Sequence, residues 1–242
     1  MKIALAQINP IVGDISGNTR LHLAAIESAR EDGASLVVFP ELSILGYPPR
    51  DLLRKSQLIE DTGKALVEIA AACQGIGALV GFVRHTPEAQ GRPLQNAAAY
   101  LAEGVIQQIH VKSLLPTYDV FDETRYFEPG RVPGCVAIGD KVVGVSICED
   151  LWDAEALGTT LYEDDPVRRL QDCGADIIIN MAASPFQMGK AAIREDLFAR
   201  QAKRHGTPIL YVNQVGGNDE LVFDGCSCAF SGSGELLGRA KS

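Results

Sequence analysis

The sequence has few of the features that a membrane or a nucleic acid would require of a partner. It contains no run of about 18 apolar residues, which is the length that a membrane-spanning helix needs. It carries 22 Lys and Arg against 31 Asp and Glu, and the net charge of −9 disfavours polyanionic partners. The apolar start at Met1–Gln7 is too short for a signal peptide, so we expect a cytoplasmic protein.

The six cysteines and four histidines lack the spacing of a metal site. The sequence has no CxxC pair and no cluster of Cys with His, so we predict no zinc or other metal centre. A disulfide framework is also not expected in a chain of this size without a secretory signal. Most of the thiols should then be small buried apolar groups, and at most one needs to be reactive.

Short apolar strands alternate with helices along the chain, which predicts an α/β protein. The predicted helices cover residues 18–31, 57–72 and 190–204. The predicted strands cover residues 2–8, 35–39, 77–83, 96–101, 105–110, 135–138, 141–147, 176–180, 208–213, 226–230 and 235–239. Three of the strand pairs have the pattern of β-hairpins, which a purely parallel sheet would not need. We therefore predict a four-layer αββα sandwich, in which two mixed sheets lie face to face with helices outside.

No Ser-, Gly- or Pro-rich linker divides the chain, so we expect residues 1–242 to form one domain. The last strand pattern stops shortly before Ser242, and no closing helix follows it. This ending suggests a part of a longer protein, although a natural short form would look the same.

Three segments carry polar residues directly after an apolar strand, where α/β folds put their sites. Glu41, Lys112 and Cys148 each stand just beyond such a strand. A desolvated carboxylate can act as a base, a lysine can stabilise an oxyanion and a thiol can act as a nucleophile. Taken singly, each residue has an ordinary alternative: a solvated loop acid, a solvated lysine and a core thiol.

Together, the three segments resemble the motifs of the nitrilase, or carbon–nitrogen hydrolase, superfamily. Its members combine Glu, Lys and Cys in this order, each after a strand of an αββα sandwich. The matching segments are Phe39-Pro40-Glu41-Leu42, Lys112-Ser113-Leu114-Leu115-Pro116 and Ile147-Cys148-Glu149-Asp150-Leu151-Trp152. Further matches over residues 45–53, 114–127, 180–190 and 213–225 make the chain most similar to the N-terminal glutaminase (amidotransferase) domains of glutamine-dependent NAD⁺ synthetases.

That resemblance implies a role for each residue of the site. Glu41 would be the general base, Cys148 would attack the side-chain carbonyl of glutamine, and Lys112 would stabilise the oxyanion. Glu123 would support Lys112 or relay protons. The implied pocket offers an acid to the α-ammonium group of glutamine and a cation to its α-carboxylate. Its residues are Tyr47, Tyr118, Glu149, Trp152, Ser184 and Lys190.

The resemblance also implies partners. L-Glutamine would be the substrate, and ammonia would pass to a synthetase domain, in the same or another chain, that makes NAD⁺ from deamido-NAD⁺. The Ser-Gly-Gly-x-Asp-Ser phosphate loop of that domain does not occur in these 242 residues. ATP and Mg would therefore belong to the missing domain, and the amidase half-reaction would need no cofactor. Similar sandwiches pair through their outer helices, so we expect a homo-oligomer.

The sequence is compatible with two other functions. The same triad could serve a stand-alone amidase that acts on another linear amide, and a comparison of glutamine with short aliphatic amides would separate the two. The fold could also be a non-catalytic, nitrilase-like assembly module. Such a module, however, has no physical need to keep Glu41, Lys112 and Cys148 together.

Overall fold

The computed structural model describes residues 1–87, 91–132 and 134–242. Its helices are α1 (Ile15–Glu31), α2 (Ser56–Ala72), α3 (Ala154–Leu157), α4 (Pro166–Asp172) and α5 (Lys190–His205). Its strands are β1 (Ile3–Leu5), β2 (Leu36–Val38), β3 (Gly77–His85), β4 (Leu94–Ala102), β5 (Val105–Val111), β6 (Gly134–Ile138), β7 (Lys141–Ile147), β8 (Ile177–Ala182), β9 (Ile209–Asn213), β10 (Val215–Asn218), β11 (Leu221–Asp224), β12 (Cys228–Phe230) and β13 (Leu236–Arg239). Among the helices formed by these residues, none has both the length and the apolar character that crossing a membrane requires.

The strands form two mixed sheets and one small hairpin. The first sheet has the order β1-β2-β3-β4-β5, in which the first three strands are parallel and the last two are antiparallel additions. The second sheet has the order β13-β12-β9-β8-β7-β6, which is parallel at its centre and antiparallel at both edges. Strands β10 and β11 pair with each other as a separate hairpin.

The two sheets share one apolar core, and helices cover their outer faces. Leu36 of the first sheet and Val143 of the second belong to the same buried cluster. Ile26 of α1 and Leu66 of α2 pack on the other face of the first sheet. Phe198 of α5 packs against β9 of the second sheet. The layers therefore follow the order helix, sheet, sheet, helix, and the predicted αββα sandwich of two mixed sheets is confirmed.

Element boundaries differ from the prediction where a side chain or a pairing partner decides them. Helix α1 begins at Ile15 rather than at Asn18, because the Asp14 side chain accepts a hydrogen bond from the Gly17 amide and caps the helix. Strand β1 is shorter than predicted because it pairs only with the short β2. The β10–β11 hairpin and the helices α3 and α4 were not predicted, since elements of four to seven residues are too short to give a clear periodicity.

Two of the six cysteines are paired, which the sequence did not predict. Cys135 on β6 and Cys173 after α4 form a disulfide, with their Cα atoms 6.7 Å apart. Cys73, Cys148, Cys226 and Cys228 are free. The pair joins residues 38 positions apart, which meet only because α4 packs against β7 beside β6. Spacing along the chain carries no sign of such a contact.

Two buried histidines should make the folded protein sensitive to acid. His22 donates from Nδ1 to the Asn18 carbonyl oxygen, and its Nε2 lies 2.8 Å from the Ser43 hydroxyl. Burial lowers the pKa of His22 from 6.5 to about 4, and burial also lowers the pKa of His110 to about 4. Because the unfolded chain binds these protons more readily, the stability is fully present above pH 6.5 and is lost as the pH falls towards 4.

We expect His22→Gln to remove the part of the pH-dependent free energy of unfolding that His22 contributes, which is about 3 kcal/mol between pH 6.5 and 4. The measurement is urea unfolding at a series of pH values, in which the gap between wild type and His22→Gln should narrow as the pH falls. The exposed His85→Gln serves as the control and should follow the wild-type profile. Parallel profiles for wild type and His22→Gln would contradict the prediction.

Candidate active site

The polar residues that follow β2, β5, β7 and β8 meet at one edge of the sandwich. Strands β2 and β5 point the same way in the first sheet, and β7 and β8 are parallel in the second. A hydrogen bond of 3.1 Å from the Ala183 amide to Glu41 Oε2 connects the C-terminal ends of the strands in the two sheets. The edge that carries the site is therefore the one that α/β folds ordinarily use.

Glycine at position 81 allows the Glu41 segment to lie close against β3. A methyl group there would overlap the Pro40 carbonyl oxygen and the Leu42 nitrogen. Leu42 has a positive φ of 47°, and this tight turn directs the Glu41 side chain into the sandwich. Glu41 is consequently 1% exposed and is not a solvated loop acid.

A buried cluster of charges lies at the centre of the site. Lys112 is fully buried, and its Nζ donates to Glu41 Oε1 at 2.7 Å and to Glu123 Oε1 at 2.8 Å. Asn96 on β4 donates a second hydrogen bond of 2.7 Å to Glu41 Oε1. The Tyr47 hydroxyl donates to Glu123 Oε1 at 2.8 Å. One cation thus holds two desolvated carboxylates, which fixes the position of all three groups.

The protonation of this cluster follows from burial and from the mutual charges. Burial opposes the charged form of Lys112, but Glu123 and Glu41 outweigh it and raise the pKa of the lysine well above its ordinary value. Burial raises the pKa of Glu123 to about 7, against the lowering effect of Lys112. Lys112 therefore stays a cation at neutral pH, and it is the positive charge nearest to both carboxylates.

Cys148 begins a short 3₁₀ turn directly after β7, with a backbone that is unusual for its residue type. Its φ is 47°, in the left-handed region that L-residues other than glycine rarely adopt. The Asp150 carboxylate supports the turn by accepting hydrogen bonds from the amides of Ile147, Ser113 and Leu114. Asn180 donates to the Cys148 carbonyl oxygen at 3.2 Å. These contacts hold the thiol where the strand ends.

The Cys148 thiol is protonated in the resting site. It is 6% exposed, and burial together with the Glu41 charge raises its pKa well above the ordinary value, although Lys112 lowers it. A thiol in this state needs a base before it can attack. The carboxylate that influences its pKa most strongly belongs to Glu41. The thiol therefore lies within electrostatic range of a carboxylate and of an ammonium group.

A cavity of about 200 Å³ opens onto Cys148. Five of the residues that the sequence assigned to a glutamine pocket line it together with the thiol: Tyr118, Glu149, Trp152, Ser184 and Lys190. Other lining residues, among them Phe121 and Gln187, were not predicted from the sequence. Within the described residues, no group of three or more His, Cys, Asp or Glu side chains is arranged to hold a metal ion.

The cavity wall carries one lysine, Lys190, and two acids, Asp119 and Glu149. Lys190 Nζ lies 5.8 Å from the Phe121 ring centre and 5.7 Å from that of Trp152, and burial lowers its pKa. Glu149 is 3% exposed, and burial raises its pKa although Tyr118 donates a hydrogen bond to it. Such a pair can bind a zwitterionic amino acid, since each charge gains more where water is excluded.

Tyr47 occupies a different position from the other predicted pocket residues. It does not line the cavity at Cys148 but a neighbouring one, and its hydroxyl is directed at Glu123. Its contact with a substrate therefore stays a prediction, whereas its support of the Lys112 cluster is visible in the geometry. Asn96 and Tyr162 also bond to site carboxylates and were missed by sequence reasoning. Only Asn96 gave a signal, as a polar residue inside an apolar strand.

The chain matches the model of the carbon–nitrogen hydrolase family over residues 2–242. It is 43% identical over 243 residues to the glutamine-dependent NAD⁺ synthetase of Synechocystis sp., covering 98% of this chain and 44% of that protein. It is 37% identical to the protein of the same name from Thermotoga maritima, covering 100% of this chain and 40% of that protein. The chain thus spans less than half the length of these relatives.

The chain is also similar to solved structures of proteins with the same name and of an amidase. The glutamine-dependent NAD⁺ synthetase of Acinetobacter baumannii superposes with a TM-score of 0.90 at 34% identity, over 99% of this chain and 43% of that one. An amidase from Nesterenkonia sp. superposes with a TM-score of 0.83 over 100% of this chain and 86% of that one, and at 24% identity it shows likeness of fold alone. By its sequence match along nearly the whole chain, this protein belongs to the carbon–nitrogen hydrolase family.

Proposed function

We propose that this chain hydrolyses the side-chain amide of L-glutamine through a γ-glutamyl thioester on Cys148. The observation that carries the proposal is the buried cluster of Glu41, Lys112 and Glu123 beside Cys148, at the base of a cavity whose wall holds Glu149 and Lys190. The relatives named glutamine-dependent NAD⁺ synthetases support glutamine as the amide.

In the first half of the reaction, Glu41 accepts the Sγ proton while the sulfur attacks the Cδ carbonyl carbon. The carbonyl oxygen becomes an oxyanion, which the Lys112 ammonium stabilises at short range in a site that excludes water. Glu41 then returns the proton to the amide nitrogen, and the C–N bond breaks. Ammonia leaves, and the γ-glutamyl group remains on Cys148 as a thioester.

In the second half, water occupies the place that ammonia has left. Glu41 takes a proton from this water as it attacks the thioester carbonyl, and Lys112 again stabilises the oxyanion. The C–S bond breaks, the sulfur regains the proton from Glu41, and glutamate leaves. The two steps together consume one water and release one ammonia and one glutamate, so the protein returns to its starting state.

Substrate choice follows from the cavity wall. Glu149 is the acid suited to the α-ammonium group, and Lys190 is the cation suited to the α-carboxylate. The rings of Trp152 and Phe121 flank the half-buried lysine and partly shield its ammonium group. An amide without these two charges would leave Glu149 and Lys190 without charged partners, which costs binding free energy.

The ammonia is proposed to serve a synthetase domain that converts deamido-NAD⁺ to NAD⁺. The chain covers 44% and 40% of two relatives with that name, so the rest of such a protein would be the partner, in the same chain or in another. ATP and Mg would act in that domain, and the amidase reaction written above uses neither. Ammonia is uncharged when it leaves the thioester, which suits direct transfer between the two sites.

Ammonia release by the purified chain tests the proposal. We expect release from L-glutamine to exceed that from propionamide or butyramide by at least about 10²-fold in kcat/KM, because the short amides engage neither Glu149 nor Lys190. Similar rates for all three amides would favour a general amidase instead. If none is hydrolysed, the measurement is repeated with a separately purified synthetase domain added; continued inactivity would remove the proposal.

A further inference from the structure

Two tyrosine hydroxyls converge on the same oxygen of Glu149. Tyr118 donates to Oε1 at 2.7 Å, and Tyr162 donates to the same atom at 3.0 Å. Both of these hydrogen bonds go to Oε1, and neither involves the second oxygen, Oε2. The carboxylate is thus held at one oxygen and left open at the other.

The two tyrosines line different cavities. Tyr118 lines the cavity that contains Cys148. Tyr162 lies between α3 and α4 and lines a separate cavity of about 170 Å³, which it shares with Trp152 and Asp150. Tyr162 does not line the cavity at Cys148, so a substrate bound there would meet the Glu149 carboxylate and not the Tyr162 phenol.

This arrangement fixes both the direction and the charge of Glu149. With Oε1 held by two hydroxyl groups, rotation of the carboxylate is restricted and Oε2 is the oxygen available to a ligand. Burial raises the pKa of Glu149, whereas the groups that face it, Tyr118, Lys112, Tyr162 and Lys190, lower it. Loss of the Tyr162 hydroxyl would therefore raise that pKa further and favour the neutral acid. Tyr162 itself stays protonated, because burial and Glu149 raise its pKa.

We propose that Tyr162 is a specificity-determining positioning residue, which holds Glu149 as an oriented anion so that the site selects amides with an α-ammonium group. The inference rests on the proposed function, since it concerns the substrate of that same site. The inference predicts that loss of the Tyr162 hydroxyl weakens the binding of substrates that carry an α-amino group and leaves the binding of other substrates unchanged. A residue that merely packs between α3 and α4 would instead affect every substrate alike.

Tyr162→Phe tests this, because it keeps the ring and removes the hydroxyl. Ammonia release is measured with L-glutamine and with glutaramate, which has the same amide and carboxylate but no α-amino group. We expect KM for glutamine to rise about tenfold with kcat within about twofold of wild type, the loss typical of one hydrogen bond to a charged group. KM for glutaramate should stay unchanged.

The pH profile gives a second readout. The acid limb of kcat/KM for glutamine should move to higher pH in Tyr162→Phe, because a Glu149 with a higher pKa loses its charge at a higher pH. The acid limb for glutaramate should not move. Tyr126→Phe is the matched control, since it removes a tyrosine hydrogen bond to the exposed carboxylate of Asp51 and should leave both profiles unchanged.

The result that overturns the inference is an equal change for glutamine and glutaramate, or no change for glutamine. If the wild-type protein hydrolyses no glutamine even with a synthetase domain added, the proposed function fails and calorimetry decides the inference. Glutamine is then titrated into Cys148→Ala and into Cys148→Ala/Tyr162→Phe. Weaker binding to the double variant supports the role of Tyr162, while equal binding or no binding to either protein removes it.

Discussion

Cys148→Ala should lose glutamine hydrolysis by about 10⁴-fold or more while the protein remains folded. The sulfur is the atom that forms the proposed thioester, and a methyl group offers no alternative nucleophile. Glu41 and Lys112 would remain in place, because their hydrogen bonds do not involve the thiol. Ammonia release measures the loss, and circular dichroism with urea unfolding measures the fold.

The stability of Cys148→Ala should lie within about 1 kcal/mol of wild type, since alanine keeps the Cβ and removes a thiol that makes few polar contacts. Cys228→Ala is the matched control. Cys228 is also buried and free, but it lies on β12 away from the cavity, so this variant should keep wild-type turnover. Turnover retained in Cys148→Ala would exclude the covalent mechanism.

Sequence reasoning found the residues that follow the strands, because order along the chain fixes their placement. Glu41, Lys112 and Cys148 stand beyond β2, β5 and β7, and strands that point the same way bring their ends to a common edge. The alternation of helices and hairpins likewise predicted the αββα layers. These features depend on local pattern and on general rules of packing, both of which are visible in one sequence.

Contacts between distant segments could not be predicted in the same way. Tyr162 lies in a polar stretch without periodicity, and its meeting with Glu149 depends on how α3 and α4 pack. The hydrogen bond from Tyr47 to Glu123 joins residues 76 positions apart and was not predicted, while the substrate contact of Tyr47 stays a prediction. The pairing of Cys135 with Cys173 has the same origin. In each case tertiary packing determines which two residues meet, and residue type and spacing along the chain do not show it.

Lys112→Met should remove activity and also destabilise the protein, because it deletes the only cation bonded to Glu41 and Glu123 among the described residues. We expect kcat to fall by about 10³-fold or more, since the oxyanion loses its charged partner. The free energy of unfolding should fall by about 3–5 kcal/mol near neutral pH, because two buried carboxyl groups lose the cation that they share. Turnover and urea unfolding measure the two effects separately.

The pH dependence and a second substitution separate catalysis from folding. Without Lys112 the pKa of Glu123 rises above its value of about 7, so the carboxyl group is neutral in the folded protein at pH 5. A carboxyl group with a raised pKa stabilises the folded protein at low pH, and this stabilisation is lost as the pH rises. The stability difference between wild type and Lys112→Met should therefore be smaller at pH 5 than at neutral pH.

Lys112→Met/Glu123→Gln should regain stability at neutral pH and remain inactive. The exposed Lys64→Met, which also breaks a lysine–carboxylate pair, should change neither property. If the double variant is folded, activity in it would exclude Lys112 from the chemistry, whereas a folded and inactive protein shows that the lost activity of Lys112→Met is not a consequence of unfolding.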